Sequence, residues 1–505
     1  MPKYNDYLTA SDYYKFLNCP HWPYYERFHT DEELAFKREM TEGEIQRLED
    51  GVMHEKEVMK RLFEDGNVHE AQITTDPEHD FALTLELMKQ GVDYIYQGTL
   101  THDDWTGRPD ILKKIDGDSD FGSWYYMPID IKSAHHIHKY HRLQLMFYAV
   151  LLESVQGRFP ARGCVINADG EELEVELGDY VTEFNEITAE LEAIRAGEKP
   201  DPVLRKSCFD VGPWGALCKE YAIGTNDIAR LFNVDVRKLK ALRELGIRTI
   251  EDAAKMNVLE LDGKMPGLRM HGLTVAKQQA QSLLGEKVIV REPVLLDAPP
   301  TEIHFDIESD PPNDLDYLYG VFIRTKDKSE YIAFTAKKPE QEKKMWQEFL
   351  NWVESLKEPY QVIHYAAYEK IRLAVLEKRY GGSASLDIFR SNMIDIKQVI
   401  THSVVLPLHF YGLKYVAPFL GFSWRSDVKS GGQSVDVFEK YLETQNEELL
   451  NQIILYNEDD VRATAVVADW CRAYAGKLTE YNMPYPWQKE IKSIHYDDSE
   501  AKSRL

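Results

Sequence analysis

Alternation of apolar and polar residues predicts strands at 94–100 and 124–132. Helical periodicity fills much of the remaining first 220 residues, so 1–220 reads as one α/β unit. Between 221 and 292 the strand pattern vanishes. Short helical stretches separated by glycine turns, as at 245–250 and 261–267, predict a small all-α connector built on two helices around a tight Gly turn. Thr249 is placed to cap the second helix, with Asp252 three residues on, near the helix's positive end. A proline-marked linker spans 290–300. Strands then return at 302–308, 317–323 and 331–334, followed by helices, which predicts a second α/β domain over 298–490. The acidic segment 491–505 reads as a surface tail, and there is no fixed-period repeat or low-complexity tract.

Composition narrows the class. With 505 residues, 43% hydrophobic, 11% aromatic and 29% charged, the chain is a globular protein of several domains. No apolar run approaches the roughly 18 residues of a membrane span, and the first residues lack a basic-then-apolar leader, so a cytoplasmic protein is expected. Five scattered cysteines suit reduced thiols. The net charge of -25 argues against a protein that coats nucleic acid nonspecifically. It leaves a nuclease open, because metal-binding carboxylates are themselves acidic.

A first constellation lies in the N-terminal unit. Asp130 and Lys132 share one face of a predicted strand, with Ile131 turned into the core. Asp110 follows the turn Gly107-Arg108-Pro109 and opens another strand, so two acids and a lysine can meet at a sheet edge. Paired carboxylates hold Mg²⁺ or Mn²⁺, whose bound water attacks a phosphodiester, and Lys132 can position that water or offset charge. His54, beside Glu55 on a helical stretch, offers an imidazole that favours Mn²⁺. Gln144 and Tyr148 are four apart on one helix face. The competing reading, a solvated Asp-x-Lys face and an ordinary surface histidine, fits any one of these residues alone better than the ordered set.

The order Gly-x-x-His-Glu, Gly-x-Pro-Asp, Asp-x-Lys, Gln-x-x-x-Tyr resembles the RecB-like branch of the PD-(D/E)XK nuclease superfamily, a restriction-endonuclease-like fold, over 1–220. The resemblance implies His54, Asp110 and Asp130 as metal ligands, Lys132 as the catalytic lysine, and Gln144 and Tyr148 as the accessory motif. Many RecB-like proteins also bind an iron–sulfur cluster through four cysteines. Cys19, Cys208 and Cys218 match three of them and Val211 stands at the fourth position, so the expectation is a remnant set without a cluster.

A second constellation lies in the C-terminal domain. Asp306 and Glu308 project from one side of a strand, and Glu369 follows an apolar strand at the start of a helix. Tyr456 and Asp460 share a helix face. Four acids, Asp306, Glu308, Glu369 and Asp460, are expected to converge on divalent ions, with Tyr456 orienting the attacking water. The arrangement resembles the tyrosine-containing DEDD exonucleases, which have an RNase H-like fold. It departs from them at the middle motif, where Tyr365 and Glu369 replace the usual Asn and Asp. Asp395 resembles a structural acid of such domains, and Lys414 and Arg425 are candidate phosphate contacts.

The middle segment resembles a helix-hairpin-helix unit, whose basic residues, Lys238 and Arg248 among them, are expected to touch a nucleic-acid backbone. Arg237, Lys240, Arg243, Lys264, Arg269 and Lys277 add local positive charge. A spacer without nucleic-acid contact is the alternative. The whole order is similar to a bacterial family of two-nuclease proteins with a RecB-like first domain and a YprB-type last one. This implies a metal-dependent exodeoxyribonuclease with two sites, acting on single- or double-stranded DNA ends, with RNA as an alternative substrate of the second. DNA processing, repair or defence is the implied setting. A helicase partner is suggested by analogy, since no Gly-x-x-x-x-Gly-Lys-Ser/Thr loop is present. The rivals are an enzyme in which only the N-terminal site works, and a non-catalytic scaffold that grips nucleic acid or protein.

Overall fold

The computed structural model describes residues 7–475, 480 and 481, apart from 66, 67, 293, 295, 312 and 358. The expected tail, 491–505, lies outside the described residues. The chain divides into two compact units, Met1–Cys218 and Lys219–Leu505.

The first unit is built on a six-stranded mixed sheet and a hairpin. In chain order the strands are β1 (Val68–Glu70), β2 (Tyr94–Tyr96), the hairpin β3 (Leu100–His102) and β4 (Trp105–Gly107), then β5 (Ile111–Ser119), β6 (Gly122–Ile131), β7 (Arg162–Ile166) and β8 (Glu172–Glu176). The sheet order is β1-β2-β5-β6-β7-β8, with β1/β2 and β6/β7 parallel. The strand expected over 94–100 breaks at Gln97, whose φ of 52° ends β2 before β3 begins. The helix Lys139–Gln156 buries Leu143, Leu145, Met146, Phe147, Leu151 and Leu152 in the unit's main core. Each such side chain contributes about 1.5–3 kcal/mol on burial.

Gly107 owes its identity to this packing: a Cβ there would meet the Tyr148 ring at 2.9 Å and the Phe147 ring at 3.0 Å. The glycine of the Gly-x-Pro-Asp motif is therefore where the chain passes against the helix that carries Gln144 and Tyr148.

The second unit begins with helices. Val236–Glu244 and Ile250–Lys255 flank a turn at Gly246, whose φ of 81° is the left-handed geometry that favours glycine. The Thr249 hydroxyl accepts from Asp252 N at 3.1 Å, and the Asp252 carboxylate accepts from Thr249 N at 2.9 Å, so the cap legible in the sequence forms. One strand appears where only helices were expected: β9 (Val288–Val290). Three consecutive apolar residues carry no alternation. What makes them a strand is pairing with β15 and β16, given below.

The sheet that follows has strands β10 (Thr301–Asp310), β11 (Leu315–Thr325), β12 (Ser329–Thr335), β13 (Tyr360–His364) and β14 (Met393–Asp395), in the order β12-β11-β10-β13-β14. β10 to β12 form an antiparallel meander, while β13 and β14 run parallel to β10. β15 (Val404–Val405) and β16 (Glu480–Tyr481) flank β9. Phe305, Tyr319, Trp346, Phe349 and Phe389 fill the core under the sheet, with Phe305 and Phe349 stacked at 5.5 Å. On the other side of β10, the long helix Glu447–Trp470 presents Tyr456, Asn457 and Asp460 buried.

Candidate active sites

In the first unit, β5 and β6 bring Asp110, Asp130 and Lys132 together. Lys132 Nζ lies 3.3 Å from Asp130 Oδ2 and 3.9 Å from Asp110 Oδ2. Asp110 Oδ2 also accepts from Ile131 N at 2.6 Å, which ties the end of one strand to the next. Asp130 is fully buried, beside the Lys132 ammonium and the Asp110 backbone. Two carboxylates gathered against one ammonium form an arrangement that a cation would complete. Burial, then the charge of Asp130, pushes the Asp110 carboxyl up to about 8. Burial raises Asp130 as well, against the pull of Lys132. For Lys132, burial works downward and the two acids outweigh it, so its ammonium sits above its ordinary value.

A cavity of about 520 Å³ opens beside Lys132, lined among others by Thr9, Tyr14, Arg108, Tyr140, Gln144 and Tyr148. Gln144 Nε2 donates to Tyr148 Oη at 3.0 Å, and that hydroxyl donates to the Arg108 carbonyl at 3.2 Å. The accessory pair thus fixes the turn preceding Asp110.

His54 has a backbone partner. Its Nε2 is 3.2 Å from the Asn167 carbonyl, so the ring donates there. Among the described residues, His54, Asp110 and Asp130 do not bring ligand atoms within 4.8 Å of one another as a group. The neighbouring Glu55 reaches further in. It accepts from Tyr96 Oη and Gln97 Nε2, both at 2.9 Å, and its charge bears on both Asp110 and Asp130. The sequence pointed to His54 and not to Glu55.

The three cysteines meet in a buried spot: Cys19 Sγ is 3.4 Å from Cys218 Sγ, and Cys19 also contacts the Cys208 thiol. Burial raises Cys208 and Cys218. Val211 caps the short helix Lys206–Asp210.

In the second unit, ligand atoms of Asp306, Glu308 and Asp460 all lie within 4.8 Å of one another, and all three residues are buried. Two come from β10 by its period of two, the third from the helix Glu447–Trp470 across it. Asn457 Nδ2 donates to Asp306 Oδ2 at 2.8 Å, and Tyr331 Oη donates to Asn457 Oδ1 at 2.9 Å, which holds the Asp306 carboxylate from behind. Asp460 Oδ1 accepts from Lys414 Nζ at 2.7 Å and from Trp424 Nε1 at 2.6 Å. Lys414 Nζ also lies 4.0 Å from the centre of the Tyr456 ring and 4.1 Å from that of Trp424.

Glu369 does not join the tight group. It is buried, with Oε2 3.3 Å from His364 Nδ1. The chain reaches it through Ala366, whose φ of 75° turns the backbone between β13 and the helix Tyr368–Tyr380. Asp395 is a cap: its Oδ1 accepts from Lys397 N and Gln398 N at the start of the helix Ile396–Ser403, and from Ala366 N at 2.9 Å. Of the two basic residues expected on phosphate, Lys414 is on Asp460, and Arg425 donates to Asp459 through Nε at 2.6 Å. In the connector, Lys238 pairs with Asp235 at 2.8 Å and Arg248 is exposed. Arg243 is buried on Asp227 at 2.7 Å and adds nothing to a basic surface, because the helix Val236–Glu244 turns it inward. Asn457 and Trp424 were missed in the sequence; each acts through a long-range hydrogen bond, to Asp306 and to Asp460, that no local pattern marks.

Residues 303–472 match a family model described as the RNase H superfamily. The match begins in β10 and ends just past the helix Glu447–Trp470, so it contains all three clustered acids of this RNase H-like domain. No curated protein matches the chain at a significant level. RNase H-like nucleases use divalent metals, and three buried carboxylates form the hard, all-oxygen donor set such ions prefer. No helix among the described residues is long and apolar enough to cross a membrane.

Proposed function

We propose that the protein is a metal-dependent nuclease with two phosphodiester-cleaving sites, one per unit, and that it acts on DNA ends in the cytoplasm, in processing, repair or defence. The C-terminal site removes nucleotides from 3′ ends, of DNA or of RNA. The observation that carries this reading is the convergence of Asp306, Glu308 and Asp460 inside the span that matches the RNase H superfamily.

Asp306, Glu308 and Asp460 would hold divalent metal in the C-terminal site. Asp110 and Asp130, with Glu55 beside them, would do so in the N-terminal site. When bound, Mg²⁺ or Mn²⁺ supplies an activated water and stabilises the departing oxygen. The chain's own groups do the rest. Asn457 fixes the Asp306 carboxylate, and Lys132 keeps a positive charge against Asp130 where phosphate charge develops. Tyr148 and Gln144 hold the turn before Asp110, and Tyr456 faces Lys414 with its ring.

The test isolates the C-terminal site. Full-length Asp130→Asn protein is incubated with end-labelled single- and double-stranded DNA and RNA, with Mg²⁺, Mn²⁺ or a chelator. Stepwise shortening from the 3′ end that requires metal and vanishes when Asp306→Asn is added supports the reading. Binding without cleavage under every condition replaces it with the scaffold.

A further inference from the structure

Lys414 is an unusual neighbour for a metal ligand. Its ammonium, on a side chain 12% exposed, sits 2.7 Å from Oδ1 of fully buried Asp460. It lies over the faces of two aromatic rings, Tyr456 at 4.0 Å and Trp424 at 4.1 Å, and Trp424 sends its own N–H to the same carboxylate oxygen at 2.6 Å. Ring faces carry negative quadrupole density, so both hold the cation where it is. One oxygen of Asp460 is thus engaged by two donors of this chain, and Oε2 of Glu369 lies 3.3 Å from His364 Nδ1.

Charge follows from this arrangement. The tight group offers three carboxylates. One divalent cation together with the Lys414 ammonium balances them, whereas two divalent cations plus the ammonium would leave two uncompensated positive charges in a buried place, an arrangement that desolvation penalises. Accordingly, we propose that Lys414 takes the charge role of a second metal ion: the C-terminal site holds a single divalent cation, and the ammonium is the other positive centre offered to the phosphate. This rests on reading the Asp306, Glu308 and Asp460 group as a metal site.

Counting ions tests it without reference to activity. Full-length protein carrying Asp110→Asn and Asp130→Asn, which silences the other candidate site, is titrated with Mn²⁺ by calorimetry, and bound Mn²⁺ is observed by electron paramagnetic resonance. The expected result is one ion with the spectrum of an isolated Mn²⁺. Adding Lys414→Met, or Lys414→Gln should that chain fold better by circular dichroism, is expected to admit a second ion, with spin coupling between the two. Two coupled ions with Lys414 in place overturn the proposal and leave the metal reading standing. One ion both with and without Lys414 also overturns it, since the lysine would then exclude nothing. No ion in either chain removes the metal reading itself, and this inference with it.

Discussion

At the residue scale, the clustered acids depend on neighbours that hold their carboxylates, Asn457 on Asp306 and Trp424 on Asp460. Asp306 and Glu308 stand out because strand alternation and flanking Phe305 and Ile307 leave them one shared face. Asn457 is invisible to that logic, since it acts only through a long-range bond to Asp306. Its importance surfaces in Gly320, which pairs with Asp306 across the β10/β11 ladder. A Cβ on Gly320 would fall 1.5 Å from Asn457 Oδ1. Gly320→Ala is therefore expected to displace Asn457, destabilise the RNase H-like domain by about 1–3 kcal/mol and weaken Mn²⁺ binding, measured by thermal denaturation and metal titration on one sample.

His141 gives a pH effect of defined sign. Burial, assisted by the charges of Lys132, His138 and Arg142, lowers its pKa to about 3, so the ring is neutral in the fold. A histidine depressed in the folded state contributes stability that is present above the ordinary value near 6.5 and is lost as pH falls toward the folded value. Replacing it with glutamine is expected to flatten the acid limb of the melting profile between about pH 6.5 and 4. An unchanged slope would show that the acid sensitivity has another source.

At the element scale, long patterned segments were readable and short ones were not. The strand β10, the helix Lys139–Gln156 and the capped turn at Thr249 follow from period and capping chemistry, each of which is local. β9 is not local, because its three β-branched residues become a strand only between β15 and β16. The rotation of the helix Glu42–Asp65 was equally hidden. His54 and Glu55 are adjacent in sequence, and packing decides which of them bears on Asp110. Asp395 shows the opposite case, an acid of the motif order that works as a cap. Asp395→Ala is expected to cost about 1–2 kcal/mol through loss of the cap on Ile396–Ser403 and of the tie to Ala366, while leaving the number of bound Mn²⁺ ions unchanged. A drop in that number would make it a ligand.

At the scale of the whole molecule, each of the two compact units sets a lysine against buried acid: Lys132 against Asp110 and Asp130, Lys414 against Asp460. The resemblance to a two-nuclease architecture led to the expectation of an acidic site in each half of the chain. It did not foresee that the helical segment after 219 belongs to the same compact unit as the RNase H-like domain, where Gln279 donates to the Leu408 carbonyl at 3.0 Å. We propose that each unit cleaves on its own. The most direct measurement is the rate at which one end-labelled DNA strand is degraded in Mn²⁺ by the unmodified protein, by Asp130→Asn, by Asp306→Asn and by the two combined. Partial activity in each single variant and none in the combined one is the predicted result; complete loss in either single variant, or full activity in the combined one, would contradict it.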